Sequence, residues 1–129
     1  MCGRYTLTSK WDILAARFGL TGDIPPYRLR YNIAPTQEVL TVISSGSGNV
    51  AQYMKWGLVP HWAKDAAIGN RMINARAETV AQKPAFRVAL KKRRCLVPAD
   101  GFYEWQQSPQ GKIPMRIMLK TGEPVGVGP

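Results

Sequence analysis

The first long stretch of this chain alternates apolar and polar residues with the period of an α-helix. Its apolar residues lie three or four positions apart, on one helical face: Trp11, Leu14, Ala15 and Phe18. Ser9 stands where an N-terminal cap is expected, and Gly19 stands where a helix ends. The pattern predicts a short helix between Ser9 and Gly19 whose apolar stripe packs into the core.

The remaining apolar stretches are shorter and are typical of β-strands. They predict strands over residues 3–7, 39–43, 50–58, 95–98, 102–107 and 113–119. Turns over residues 44–49 and 108–111, rich in Gly, Ser and Pro, join two pairs of these strands into hairpins. Residues 20–36 and 60–70 are predicted to be loops, and residues 77–82 and 85–90 short helices. These elements predict an α+β domain built around a mainly antiparallel sheet.

The last residues of the sequence contain more glycine and proline than a regular β-strand does. Residues 121–124 predict another turn, and residues 125–129, rich in Gly and Pro, begin a poor strand. We therefore expect one domain over residues 1–129 that is truncated at its C-terminus, so that its last strand lacks a partner. The strand over residues 113–119 would expose an apolar face, which self-association or a missing C-terminal fragment would cover.

Charge is the most informative feature of the composition. The chain has 129 residues, the size of one domain, with 18 Lys and Arg against 8 Asp and Glu and a net charge of +10. This excess indicates a polyanionic partner such as nucleic acid, the alternative being a solvated basic surface.

Other compositional features exclude several classes of protein. No apolar run reaches the roughly 20 residues of a membrane span, and charged residues interrupt the N-terminus where a signal peptide would need an apolar stretch. Two cysteines and one histidine do not suggest a disulfide framework or a structural zinc site. We expect a cytoplasmic, nucleoid-associated protein that has no membrane partner and needs no metal or cofactor.

Cys2 has the most distinctive chemistry in the sequence. Met1 is followed by this small residue, and its removal would leave an α-amine and a thiol on the same residue. These groups titrate near ~8 and ~8.5, so both have a reactive fraction at neutral pH. The pair can close a thiazolidine ring on an aldehyde, or the thiolate can act in acyl transfer with the amine as its base. The simpler alternative is an apolar residue at the start of a strand.

Three internal polar residues are further candidates. Glu104 lies between two aromatic residues in a predicted strand, where burial would raise its pKa and suit it to acid catalysis. Asn74 and Arg76 lie two positions apart and project the same way if the chain is extended. Structural explanations stay open for both, because Asn74 can bond to a turn and Arg76 can pair with Glu78.

Five motifs in one order along the chain together resemble a known family, the SOS response-associated peptidase (SRAP) domain. They are Cys2-Gly3-Arg4-Tyr5, Asn32-Ile33-Ala34-Pro35, Trp56-Gly57, Asn74-Ala75-Arg76-Ala77-Glu78 and Pro98-Ala99-Asp100-Gly101-Phe102-Tyr103-Glu104-Trp105. The resemblance implies a β-rich, barrel-like fold that covalently captures abasic sites in single-stranded DNA. It also implies removal of Met1 by the protein itself and lyase-like activity.

The resemblance also assigns roles to individual residues. It makes Cys2 the crosslinking nucleophile, has Asn74 position the ring-opened sugar and has Glu104 assist proton transfer. It assigns DNA contacts to Arg4, Asn32, Pro35, Trp62 and Arg76.

The sequence departs from the family pattern in two places, and two other functions stay open. The family carries a histidine in a His-x-Arg-Met-Pro type motif, which is absent here, and often an aromatic residue where this chain has Ala63. One alternative is an N-terminal-nucleophile amidohydrolase, because glutamine amidotransferases also begin Met-Cys-Gly. The other is a non-catalytic remnant that binds nucleic acid through charge.

Overall fold

The structure is a computed structural model that describes residues 3–128, in which eight strands, two α-helices and one 3₁₀-helix are assigned. The strands are β1 Tyr5–Leu7, β2 Arg30–Ile33, β3 Glu38–Ser44, β4 Asn49–Lys55, β5 Val97–Ala99, β6 Gly101–Ser108, β7 Gly111–Ile117 and β8 Val125–Val127. The α-helices are α1 Trp11–Phe18 and α2 Arg87–Lys92, and the 3₁₀-helix is Ala66–Asn70.

Every pairing between these strands is antiparallel, which confirms the predicted α+β class. Within the described range the strands form three sheets, with the orders β2-β1-β6-β7, β3-β4 and β5-β8. The short strand β1 lies inside the four-stranded sheet, where Tyr5 pairs with Ile33 on one side and with Phe102 on the other. Residues paired across strands share a face of the sheet, so these three side chains lie together on the face that packs into the core.

The core joins that face to α1 and to the β3–β4 hairpin. Its buried residues are Tyr5, Leu7, Leu14, Ile33, Val39, Leu40 and Ala99. Leu14 of α1 is fully buried, which contributes about 1.5–3 kcal/mol to stability, and Trp11 and Phe18 pack beside it as the helical period predicts. Gly19 ends the helix with a left-handed φ of 59°, as predicted.

The predicted cap of α1 is wrong. The N-cap position is occupied by Lys10, which makes no side-chain capping bond. The amide and hydroxyl of Ser9 both donate instead to Oδ2 of Asp100, at 2.7 and 3.2 Å. A charged carboxylate is the stronger acceptor, so it takes both donors of the residue that local pattern assigns to the helix.

Two further local predictions are wrong. Strand β2 lies inside the predicted loop over residues 20–36, because pairing with β1 supplies its backbone partners. Residues 77–82 form turns rather than a helix. Isolated bonds such as Val80 N to Arg76 O do form there, at 2.9 Å. Pro84 lacks an N–H with which to extend the ladder, and so short a segment does not sustain a helix alone.

The last strand has a partner, contrary to the prediction. β8 pairs with β5, with Val127 opposite Val97. Glycine suits this strand at position 126, because a Cβ there would lie 3.2 Å from Leu96 and 3.3 Å from Phe18. Among the helices of residues 3–128, none has the length and apolarity required to cross a membrane.

Candidate functional site

The site is built on the pairing of β1 with β6. Tyr5 lies opposite Phe102, and the pairing continues one step further, where the Tyr103 amide donates to the Arg4 carbonyl at 2.9 Å. The next residue of β6 is Glu104, which is half-buried and shares the core-facing side of the sheet with Phe102. The carboxylate therefore lies beside the start of β1. Cys2, the predicted nucleophile, lies outside the described residues.

Trp56 connects this strand start to the segment that carries Asn74. Its ring contacts Tyr5 edge-on, with centroids 5.5 Å apart. Its indole Nε1 donates to the carbonyl of Ile73 at 2.9 Å. Because Ile73 precedes the half-buried Asn74, the contact holds Asn74 near the end of β1 from which the chain leads back to Cys2. The structure thus gathers two predicted residues, Asn74 and Glu104, around the same strand.

Position 57, directly after Trp56, requires glycine. Its φ is 134°, and a Cβ there would lie 2.3 Å from the carbonyl oxygen of Gly69. The two backbones approach closely, and the Leu58 amide donates to the Met72 carbonyl at 3.0 Å. Only glycine permits both the conformation and the approach, so this position packs the chain before Asn74 against the end of β4.

Trp56 also fixes the loop that follows β2. The Thr36 amide donates to the Trp56 carbonyl at 3.1 Å, and the Trp56 amide donates to the Gln37 carbonyl at 2.9 Å. Thr36 has a φ of 72°, a left-handed conformation that these bonds stabilise. Pro35 is half-buried in this loop. The Asn32-Ile33-Ala34-Pro35 and Trp56-Gly57 motifs are therefore parts of one structure.

Arg4 and Asn32, both predicted to contact DNA, lie together on the other face of the sheet. The Arg4 Nη1 donates to Asn32 Oδ1 at 2.9 Å. They line a solvent-open groove of about 280 Å³ together with Tyr103, Trp105 and Pro114. Alternation along β6 places Tyr103 and Trp105 opposite to the side on which Glu104 lies. The groove thus combines a cation with exposed aromatic surface.

Two other predicted DNA contacts stand apart from this groove. Trp62 is 52% exposed in the loop after β4, and Arg76 is exposed at the start of the turns over residues 77–82. Within residues 3–128, neither side chain shares an ion pair or hydrogen bond with the other candidates. Arg76 and Glu78, both described, do not form the ion pair that was the alternative explanation. Their roles stay predictions.

Sequence reasoning missed Asp100, which is 95% buried at the junction of β5 and β6. Its carboxylate accepts bonds from Thr6 Oγ1 at 2.6 Å, Thr8 Oγ1 at 3.0 Å, Ser9 N at 2.7 Å and the Thr8 amide. Arg116 Nη2 adds a salt bridge at 3.2 Å. Burial raises the pKa of Asp100, but the hydrogen bonds from Thr6, Thr8 and Ser9 outweigh it, so the pKa is lowered. An Asp before a Gly looks like an ordinary turn residue, so the sequence carries no signal for this role.

Neither the Cys95 thiol nor a metal-binding cluster adds a reactive centre in the described part of the chain. Burial raises the pKa of the half-buried Cys95 thiol, which disfavours its reactive thiolate. In the described part of the chain, no three His, Cys, Asp or Glu side chains cluster closely enough to hold a metal ion.

Comparisons of sequence and of structure relate this chain to known proteins. The profile of the family described as SOS response-associated peptidase (SRAP) matches residues 1–128. The abasic site processing protein YoqW of Bacillus subtilis is 51% identical over 124 residues, which cover 94% of this chain and 55% of that protein. The abasic site processing protein HMCES of Gallus gallus is 37% identical over 103 residues, which cover 70% of this chain and 31% of that protein.

A solved structure is similar over nearly the whole chain. A Bacteroides thetaiotaomicron protein superposes with a TM-score of 0.83 and 28% identity, over 98% of this chain and 58% of that chain. The chain therefore spans little more than half the length of these bacterial relatives.

Proposed function

The chain belongs to the SOS response-associated peptidase (SRAP) family, and on that premise we propose that it processes abasic sites in DNA by capturing them covalently. The relatives named above are abasic site processing proteins. The observation that carries the proposal is the pairing of β1 with β6, which brings Glu104 beside the strand that leads back to Cys2. A net charge of +10 supports a DNA substrate.

The proposed chemistry uses the aminothiol of Cys2 after removal of Met1. An abasic sugar equilibrates between a closed hemiacetal and an open aldehyde, and a proton donated by Glu104 to the ring oxygen favours opening. The neutral α-amine of Cys2 attacks C1, and loss of water gives an imine. The thiolate then adds to the same carbon and closes a thiazolidine, so that one water is released overall.

Asn74 is proposed to position the ring-opened sugar. The Trp56 indole holds the preceding carbonyl at 2.9 Å, which fixes the backbone on which the Asn74 side chain stands. An amide supplies both a donor and an acceptor, which suits the hydroxyls of an open sugar.

We propose single-stranded DNA as the substrate form. Arg4 and Arg76 are proposed to neutralise phosphates, while Asn32 and Pro35 shape the adjoining surface. The exposed Trp62 ring offers a stacking surface worth roughly 1–3 kcal/mol per base, which is available to bases that are not paired in a duplex. The logarithm of the DNA-binding constant would then fall linearly with the logarithm of the salt concentration.

The two cysteines give a matched test of the proposal. Cys2→Ser is expected to abolish the stable crosslink to an abasic single-stranded oligonucleotide, because serine cannot close a thiazolidine. Cys95→Ser is expected to crosslink as wild type, since burial raises the pKa of that thiol. Denaturing gel electrophoresis measures the adduct. Equal crosslinking by both variants would refute the assignment, and release of ammonia from glutamine would support an amidohydrolase instead.

A further inference from the structure

Asp100 ties together three elements that surround the proposed site. Its carboxylate contacts Thr6 in β1, Thr8 and Ser9 in the turn before α1, and Arg116 in β7. The two side chains at the centre of this network, Asp100 and Thr6, are 5% and 1% exposed. A buried carboxylate with all its donors in place strongly specifies one arrangement of its neighbours.

The backbone of Asp100 binds the same strand. Its amide donates to the Thr6 carbonyl at 3.0 Å, while Thr6 Oγ1 donates to its Oδ1 at 2.6 Å. Arg116 reaches the pair across Gly101, where a Cβ would lie 2.8 Å from Arg116 Nε and 3.2 Å from Thr6 Oγ1. Glycine at 101 therefore leaves room for the arginine, and main chain and side chain together fix Thr6 at one position along β6.

Strand β1 needs such a device because it is short. It has only three residues, two of which, Tyr5 and Thr6, are paired with β6. Its pairing with β2 also shifts register between Tyr5 and Leu7. A slip of one residue would turn every side chain of the strand to the opposite face. The side-chain contacts at Asp100 add to the few backbone pairs that hold the register of β1.

This register determines where the proposed reacting groups meet. Cys2 precedes Thr6 by four residues, and Glu104 follows Asp100 by four residues. Because β1 and β6 are antiparallel, the described residues from Thr6 back to Gly3 run the same way along the sheet as those from Asp100 on to Glu104. We propose that Asp100 is a positioning residue, which fixes the register of β1 on β6 so that the segment leading to Cys2 lies beside Glu104. This inference rests on the proposed function of that site.

The test compares Asp100→Asn with a control of similar burial outside the site. The asparagine keeps the size of the side chain but replaces one acceptor with a donor that faces the Thr8 and Ser9 donors. Thr41→Val is the control, since Thr41 is 1% exposed and donates to the Gln52 carbonyl at 2.8 Å within the β3–β4 hairpin. Both variants are assayed at a temperature where thermal unfolding curves show them folded.

The measured quantities are the maximal crosslinking rate and the half-saturating concentration of abasic single-stranded DNA. Asp100→Asn is expected to lower the maximal rate at least about tenfold, because displacing reacting groups by about 1 Å can cost roughly a hundredfold. The half-saturating concentration should change less than about twofold, and Thr41→Val should keep the wild-type rate. A folded Asp100→Asn protein with the wild-type rate would overturn the proposal.

A structural readout separates this proposal from the function on which it rests. Proton NMR contacts between the paired residues Tyr5 and Phe102 report the register directly, with or without crosslinking. Asp100→Asn is expected to weaken or shift these contacts, and Thr41→Val to preserve them. If wild type forms no crosslink, the proposed function fails. Independently of that result, intact Tyr5–Phe102 contacts in Asp100→Asn would overturn the positioning role. If Asp100→Asn does not fold, Arg116→Gln replaces it, because this variant removes only one partner of Asp100. Its maximal crosslinking rate and its Tyr5–Phe102 contacts are then measured in the same way.

Discussion

Asp100 accepts hydrogen bonds from Thr8 and Ser9 and thereby holds the turn that leads into α1. The same carboxylate binds Thr6 and Arg116, so its charge is compensated although the residue is buried. Loss of the charge would leave several donors without a full acceptor, which costs about 1–3 kcal/mol for each buried group.

Asp100→Asn is expected to make the stability of the folded protein depend less on pH in the acid range. The folded-state pKa of Asp100 is lowered, so its stabilising effect is complete above the unfolded pKa near ~3.9 and is lost as pH falls through the folded value. Burial, followed by the charge of Asp100, raises the pKa of Tyr27 to about 12, so its hydroxyl stays neutral.

Circular dichroism melts between about pH 7 and pH 2.5 measure this effect. The Tm of wild type should fall more steeply below about pH 4 than that of Asp100→Asn, so the two curves converge. Parallel curves over the whole range would contradict the ionised state of Asp100 in the fold.

At the scale of elements, the Trp56-Gly57 segment at the end of β4 connects the parts of the site. Trp56 contacts Tyr5 in β1, bonds to the Ile73 carbonyl and exchanges backbone bonds with the loop after β2. Gly57 allows the following chain to pack against Gly69. One short segment therefore sets the relative positions of the strand start and the Asn74 backbone.

Gly57→Ala is expected to destabilise the protein more than Gly111→Ala. Both glycines have a positive φ, 134° and 121°, and alanine at such positions is strained by about 1–3 kcal/mol. Only at Gly57 does the new Cβ also meet backbone, 2.3 Å from the Gly69 oxygen, whereas nothing lies within 4 Å at Gly111. Overpacking adds about 1–3 kcal/mol. Urea unfolding measures the difference, and equal losses would show that the approach of the two backbones is not needed.

The elements that could be predicted from sequence are those whose signals are local. The helix α1 follows an apolar period closed by Gly19, and the β3–β4 and β6–β7 hairpins follow turns at residues 46–48 and 109–111. Strand β2 was missed because its residues Tyr31 and Asn32 are exposed, so no alternation marks it. Its existence depends on a partner 28 residues away in sequence, since Ile33 pairs with Tyr5 across the intervening helix and loop.

The residues of the candidate site also divide into those with local sequence signals and those whose role depends on long-range contacts. Motifs predict Glu104 and Asn74 as site residues, and the structure brings both near β1, whereas Cys2 lies outside the described residues. Asp100 was missed because its role depends on donors from Thr6, Thr8 and Arg116, which meet only in the folded sheet. Long-range polar networks of this kind leave no periodic pattern in a sequence.

At the scale of the whole molecule, β7 is an edge strand of the four-stranded sheet in the described range. Three of its apolar residues, Ile113, Met115 and Ile117, share one face with Glu104 and Phe102 and are 43–47% exposed. An edge with free backbone groups and an apolar face favours pairing with another chain.

We therefore expect the 129-residue chain to self-associate through β7. Met115→Lys should reduce the association, because it places a charge in the middle of the apolar row. Met118→Lys is the matched control, since Met118 is 47% exposed and lies beyond the end of β7. Light scattering over a range of protein concentrations measures the mass. A wild-type monomer at every concentration would contradict this expectation.

Capture of an abasic site by Cys2 as a thiazolidine would give an adduct of defined mass, which intact mass spectrometry measures. Folded protein is mixed with single-stranded DNA that contains one abasic site, without a reductant. We expect a protein that begins at Cys2 and an adduct whose mass equals protein plus DNA minus one water, stable without borohydride. Folded protein that fully retains Met1, or that forms no adduct unless borohydride is added, would contradict it.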